Sequence, residues 1–215
     1  MVKKMINEIT DDNTFQKLNI VKTKIKTVLS QSIGNVKPKL DNSVIIGVAS
    51  IRKIKILCMQ LDKTCRMGTI GVAEGEKVTL AFEYATKKKL PIVAVVSSGG
   101  IRVNEGTVAL MQMAKMAAAV KQHSAKGLLY ISVVTTPTLG GASASFVSLA
   151  DIIIAEKDAI YGFSGRRIIE DTTHEQLPED FQTAEYAKRH GMVDIVADKS
   201  EIKQIISKLL RLHER

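Results

Sequence analysis

Apolar residues along the chain recur at two different periods, and the changes of period mark out its elements. In the lysine-rich stretch 1–40, Phe15, Leu18, Val21, Ile25 and Leu29 recur at helix-like spacing behind Thr10-Asp11-Asp12, a run suited to an N-cap, and predict a helical arm. From Ser43 to Leu61 the β-branched content rises, in Val44-Ile45-Ile46-Gly47-Val48, Ile51, Ile54 and Ile56-Leu57, with Ser50 to Lys53 suited to a hairpin turn. The sheet is expected to begin there. A helix from about Val72 to Lys89 carries Val78, Phe82 and Ala85 on one face, and Pro91 stops it before a strand Ile92 to Val96. Next come a helix from about Asn104 to His123, Gly127 as a stop signal and a strand Leu128 to Val134. The small-residue helix Ala142-Ser143-Ala144-Ser145-Phe146 precedes a strand over Asp151 to Glu156. Ala184 to His190 is a short helix ended by Gly191, and a terminal helix carries the stripe Ile202, Ile205, Ile206, Leu209 and Leu210, suited to the core or to a subunit interface. Strand then helix, repeated, implies right-handed crossovers and a largely parallel sheet, an α/β class.

Composition narrows this picture. With 215 residues, 45% of them hydrophobic, the chain is long enough for one substantial core. No apolar run approaches the roughly 18 residues of a membrane span, and the first residues are charged too early for a secretory signal, so a cytoplasmic protein with no membrane partner is expected. Cys58 and Cys65 match no common metal spacing and are read as reduced packing residues. The net charge of +9 admits nucleic acid as a partner, although an aromatic content of 4% with no Trp disfavours a stacking platform. A phosphorylated cofactor or an acidic partner would use the same field.

Two glycine pairs, Gly99-Gly100 and Gly140-Gly141, each follow a predicted strand and precede a helix, at the carboxyl edge where open α/β sheets bind ligands. Glycine lets the backbone approach a ligand closely and adopt positive φ, so that main-chain N–H groups converge on an anionic oxygen. Each pair alone would be read as a tight turn; two in consecutive units point to a site. Neither matches the dinucleotide or nucleoside-triphosphate phosphate loop, which leaves an oxyanion hole for a smaller group such as a thioester enolate.

The runs around these turns resemble a known family. Ser97-Ser98-Gly99-Gly100-Ile101-Arg102 with Glu105-Gly106, Leu110 to Lys115, Pro137 to Phe146, and Gly162-Phe163-Ser164-Gly165-Arg166-Arg167 to Glu170 are similar to the carboxyltransferase beta subunit of bacterial acetyl-CoA carboxylase. Met67-Gly68-Thr69, Gly75-Glu76-Lys77, Leu177-Pro178-Glu179 and Phe181-Gln182 extend the resemblance, which runs from about residue 10 to 200. It implies a crotonase-like (ClpP/crotonase) fold of repeated ββα units, as one carboxyltransferase domain over 41–215 behind the 1–40 arm. The implied activity moves a carboxyl group from carboxybiotin to acetyl-CoA or a related acyl thioester, giving malonyl-CoA. Implied partners are an alpha-type carboxyltransferase subunit and a biotin carboxyl carrier protein that delivers the biotin. The carboxyl donor itself supplies the base, so the protein is asked for charge stabilisation, with Gly99, Gly100, Gly140 and Gly141 as catalytic donors. Arg66, Gly68, Ser98, Arg102, Ala142, Gly162, Phe163 and Arg167 are expected at the substrate.

This sequence departs from the family in four ways, one being its unusually basic overall balance, which suits a specialised paralogue. The four-cysteine zinc ribbon with which members commonly begin is missing, so no zinc is expected. Ile101 stands where Ala is usual, and Arg166 replaces a Pro. Arg102 is weighed as an anion ligand slightly ahead of a partner for Glu105, and Arg166 is read as facing solvent. His123, His174, His190 and His213 receive no catalytic role, Met111, Met113 and Met116 are read as core or interface filler, and Ser143 and Ser145 match no nucleophile elbow. Rival functions are a malonyl-thioester decarboxylase subunit and a non-catalytic scaffold or nucleic-acid-binding paralogue.

Overall fold

A computed structural model describes residues 4–18 and 43–214. Seven strands form one sheet in sequential order: β1 (Gln16–Lys17), β2 (Val44–Ile51), β3 (Ile54–Leu61), β4 (Ile92–Ser98), β5 (Tyr130–Thr138), β6 (Ile152–Glu156) and β7 (Ile195–Ala197). The β1–β2 and β2–β3 pairs are antiparallel, and every pairing from β3 to β7 is parallel. Between and around them lie α1 (Lys4–Ile9), α2 (Val72–Lys88), α3 (Gly106–Ser124), α4 (Gly140–Ala142), α5 (Arg166–Thr173), α6 (Ala184–Arg189) and α7 (Lys199–Leu212). A π-helical turn, Ser143–Val147, continues α4. No helix among the described residues is long and apolar enough to cross a membrane.

The expected hairpin forms with Arg52 and Lys53 both at positive φ, 46° and 72°, the type I′ pattern whose twist matches paired strands. Its two turn N–H groups donate to the Asp11 carboxylate, each at 2.9 Å. Burial opposes the Asp11 charge, but these bonds and nearby Lys203 outweigh it and hold the carboxyl below its usual range. The helix expected to start at Thr10-Asp11-Asp12 is therefore absent over Phe15 and Leu18. Asp11 caps the hairpin instead, and Gln16 and Lys17 pair with Val48 and Gly47. The rest of that stripe, Val21, Ile25 and Leu29, lies outside the described residues.

Both faces of the sheet are covered, which is why its central strands are apolar at almost every position. On one face Leu57, Met59, Val96 and Val134 pack with Val78 and Phe82 of α2 and Met116 of α3. On the other, Ile56, Val93, Val95 and Ile131 pack with Ile6 and Ile9 of α1 and Ile202, Ile206 and Leu210 of α7. The terminal stripe thus covers this chain's own core. Cys58 is buried in that layer, where desolvation pushes its thiol up to about 12.

Beyond the ends of the parallel strands the backbone pairs again in single bridges, Ile70 with Ile101, Thr138 with Tyr161 and Ile160 with Thr183. These are the shortened second strands of ββα units. β5 runs on to Thr138, past the expected end at Val134, because Thr138 is bridged to Tyr161 and paired with Ser98. The short α5 and β7 carry too few apolar positions for a periodic signal and were not anticipated.

His123 ends α3 in a buried position, with Nδ1 3.0 Å from Thr86 Oγ1 and its ring edge-on to Phe82. Burial lowers its pKa from the ordinary 6.5, partly offset by the Leu129 carbonyl and Asp151. Between the lowered folded value and 6.5 the unfolded chain binds the extra proton, so stability is full above 6.5 and falls as pH drops below it. Urea midpoints measured across this window should decline for the wild type and decline less for His123→Gln.

Candidate active site

At the carboxyl edge of β4 and β5 the two glycine turns touch. Gly100 lies at φ 104° and Gly140 at φ 61°, both in the region that favours glycine. A Cβ on Gly100 would sit 3.2 Å from Gly140 Cα and 3.3 Å from Gly141 N. The backbones meet because neither residue has a side chain.

Four segments hold this contact. The Gly99 N–H donates to Met67 O at 2.8 Å, and the Ser98 hydroxyl donates to Gly68 O at 2.7 Å while accepting the Gly100 N–H at 3.1 Å. The Leu139 N–H donates to Ser98 O and the Gly140 N–H to Phe163 O, each at 2.9 Å. The Ser143 hydroxyl donates to Gly162 O at 2.6 Å and Gly140 O at 2.8 Å. Arg66, Met67 and Gly68 all have positive φ, 49°, 55° and 63°, and any side chain at 68 would strike the Ser97 carbonyl. Gly68 is thus required by close packing against β4.

These bonds revise which amides can serve a ligand. Gly99, Gly100 and Gly140 already donate within the protein. The Gly141 N–H, in the first turn of α4, has no intrahelical acceptor, and neither it nor the Ile101 N–H has an acceptor among the described residues. Ile101 and Gly141, one from each turn, are thus the residues whose N–H groups stay unengaged among the described residues. Their surroundings are tight, since a Cβ on Gly141 would lie 2.8 Å from Ile101 Cδ1 and 3.0 Å from Met113 Sδ. Sequence reasoning named the glycines because glycine marks the turn. It had no signal for which N–H groups the fold consumes.

Arg102 also differs from expectation. Its guanidinium donates to Glu105 Oε1 and the Thr69 carbonyl, each at 2.8 Å, and to Thr69 Oγ1 at 3.3 Å, and it pairs with buried Glu74 at 2.9 Å. Burial disfavours its charge, but Glu105 and Glu74 outweigh this and raise its pKa. Glu74 further accepts from Ser43 Oγ and Gly71 N, and Glu105 from Val72 N. Arg102 is a clamp joining the start of α2 to the first glycine turn, with four of its five N–H donors engaged inside the protein.

Arg166, expected in solvent, donates to the carbonyls of Leu177, Pro178 and Glu179, pairs with Glu170 and lies over the Phe181 ring. It ties α5 to the 177–182 segment, from which Gln182 reaches back to Ser164 O. Arg167 instead projects from α5 with its side chain 93% exposed, near Asp171. Phe163 is exposed at the same rim, whereas Ala142 is buried behind Gly141. Beside the first turn a cleft of about 460 Å³ is lined by Arg66, Thr69, Ile101, Val103 and Asn104. Gly68, Ser98, Ala142 and Gly162 thus build the frame, Arg66 and Phe163 border open space, and Arg167 stands apart on α5.

The frame belongs to an α/β fold that comparisons of sequence and structure assign to a family. The chain matches the carboxyl transferase domain family over residues 2–212 and belongs to that family. It is 49% identical over 176 residues to the acetyl-coenzyme A carboxylase carboxyl transferase subunit beta of Latilactobacillus sakei, covering 82% of this chain and 62% of that protein. The same subunit of Lactobacillus helveticus is 48% identical over 176 residues, with 82% and 63% covered. This chain therefore spans a little under two thirds of the length of those relatives. Among solved structures, a transcarboxylase 12S with methylmalonyl-coenzyme A bound aligns with a TM-score of 0.81 and 25% identity over 97% of this chain and 41% of that one. The Pseudomonas malonate decarboxylase MdcD–MdcE hetero-dimer aligns at TM-score 0.76 and 17% identity over 95% and 83%, a likeness of fold alone. The crotonase-like fold expected from the sequence is the fold observed.

Arg102→Met should leave buried Glu74 and half-buried Glu105 without their cation. A loss of roughly 3–5 kcal/mol is expected in urea unfolding, against a change within about 0.5 kcal/mol for Arg167→Met.

Proposed function

We propose that this chain is the thioester-binding part of a biotin-dependent carboxyltransferase centre of the acetyl-CoA carboxylase type, completed by an alpha-type subunit. The observation that carries this reading is the contact of two glycine turns that leaves one unengaged N–H on each, at Ile101 and Gly141. Two fixed N–H groups converging from neighbouring turns suit the oxygen of a thioester whose carbonyl takes on negative charge as its α-carbon becomes nucleophilic. The donors are held by backbone bonds on both sides, so they need no rearrangement when the charge develops.

Carboxybiotin, brought by a separate carrier protein, supplies the carboxyl group that the nucleophilic carbon accepts. Its fit is supported by the cleft beside the first turn, which Ile101 lines and which opens next to the unengaged Ile101 N–H. The side chains at the turns contribute position rather than proton transfer. Ser98 and Ser143 spend their hydroxyls on Gly68, Gly140 and Gly162 carbonyls. The cleft beside Thr69 and Asn104 offers room for the nucleotide end of an acyl-CoA, with Arg66 at its border.

Exposed apolar side chains ring this edge, with Val103 84%, Met111 61%, Phe163 64% and Ile168 63% accessible. They support a partner subunit seated over the turns, with Arg167 available to it or to the carrier. That reading carries with it a cytoplasmic, hetero-oligomeric enzyme making malonyl-CoA. The catalytic unit is the 41–215 domain; the 1–40 segment contributes β1 to its sheet.

The test combines this chain with its alpha-type partner, biotinylated carrier and acetyl-CoA. Malonyl-CoA should form, and in an Ile101→Ala background, which removes the side chain crowding position 141, Gly141→Pro should lower kcat by about 10²–10³ through loss of one donor. Product formation unchanged by Gly141→Pro would contradict the donor assignment. No transfer by the wild-type complex would contradict the function.

A further inference from the structure

At the opposite edge of the sheet, where α2, α3 and α7 end, lies a cleft of about 550 Å³ that takes no part in the glycine turns. Its floor is aliphatic, made by Ile54, Pro91, Leu128, Leu129 and Leu210. Lys89, Lys126 and His213 stand at its mouth, with Glu214 the one acid among the lining residues. Arg52 and Lys53 directly precede Ile54, Lys88 precedes Lys89, and Arg211 follows Leu210. Leu212, 70% exposed, sits between Arg211 and His213.

Two features go beyond the ordinary preference for cations at helix C-termini. First, none of Arg52, Lys53, Lys88, Lys89, Lys126 and Arg211 makes an ion pair among the described residues, whereas Arg102, Lys115, Arg189 and Lys199 elsewhere each hold a carboxylate. These six cations line the cleft or lie within two residues of its lining along the chain. Second, Arg52, Lys53 and Lys89 occupy left-handed backbone at φ 46°, 72° and 54°. Hairpin turns of this type favour Asn-Gly, and helix ends of this type favour Gly, because a side chain there costs about 1 kcal/mol or more. Cations thus occupy three positions around one cleft where glycine or asparagine would be less strained.

We infer that this cleft is a docking surface for an acidic protein segment carrying leucine-like side chains. Carboxylates would meet the lysine rim while aliphatic groups fill the floor, a division that matches the lining. Nucleic acid fits it less well, since no Phe, Tyr or Trp lines the cleft for stacking. A membrane surface fits less well because the apolar groups lie recessed in a concavity.

The test uses fluorescence anisotropy with the whole chain and a labelled peptide alternating Glu and Leu, beside the same peptide with Ser for Leu, an oligouridine RNA and anionic phosphatidylglycerol vesicles. The Glu-Leu peptide should bind at least tenfold more tightly than Glu-Ser, with affinity falling as salt rises. The Lys89→Glu/Lys126→Glu variant should weaken binding by about tenfold or more, and Lys157→Glu, in a separate groove, should not. Thermal unfolding of the double variant at the wild-type temperature shows that the loss is local. Equal binding of both peptides, indifference to the double variant, or tighter binding of RNA or vesicles through the same lysines would overturn the inference. The surface leaves both glycine turns untouched, so its failure is separate from any failure of transfer activity.

Discussion

The approach of Gly100 to Gly140 sets the terms for everything around it. Two main chains reach van der Waals distance at the end of a parallel sheet only if both residues lack a Cβ and both adopt positive φ. Once they do, their neighbours are fixed in turn. The Gly99 amide must find Met67, the Gly140 amide must find Phe163, and the hydroxyls of Ser98 and Ser143 fill the remaining acceptors. What remains unengaged is a consequence of this closure. The Ile101 and Gly141 N–H groups remain unengaged while the amides of Gly99, Gly100 and Gly140 beside them have internal acceptors.

A buried charge cluster keeps the frame in register. Glu74 and Glu105 both face Arg102, and each also caps a backbone N–H at the start of α2. Buried ion pairs contribute little net stability against a well-packed apolar replacement, yet breaking one leaves an uncompensated charge. Their value here is geometric. They tie the Thr69–Val72 corner to the Arg102–Glu105 turn, and the Ile70–Ile101 bridge between these segments holds the first glycine turn open toward the second. Near the site, Arg102 and Arg166 are committed to carboxylates and carbonyls, while Lys89 and Lys126 at the far edge hold no carboxylate among the described residues.

Much of the fold was legible in the sequence because periodicity reports burial. The β2–β3 hairpin, α2, α3, β4 and α7 follow from apolar spacing and from Pro91 and Gly127. The helix read through Phe15 and Leu18 failed because Asp11 finds a better use: a type I′ turn offers two N–H groups to one carboxylate, and a distant turn is invisible to local spacing. The glycine turns were legible as strand–Gly-Gly–helix junctions at the carboxyl edge of the sheet, where the structure places them. Their donors were not, because an amide's availability depends on which carbonyl folds against it. Arg102 and Arg166 were misread for the same reason. An arginine looks alike in sequence whether its fork meets a ligand or, as with Arg166, the carbonyls of Leu177, Pro178 and Glu179.

The central claim concerns five adjacent amides, and hydrogen exchange read residue by residue by NMR addresses them directly. Gly99, Gly100 and Gly140 should exchange slowly, and Ile101 and Gly141 quickly, with only the latter two slowing when an enolate-mimicking acyl-CoA analogue is added. Fast exchange at Gly140 together with protection at Gly141 in the free protein would contradict the account.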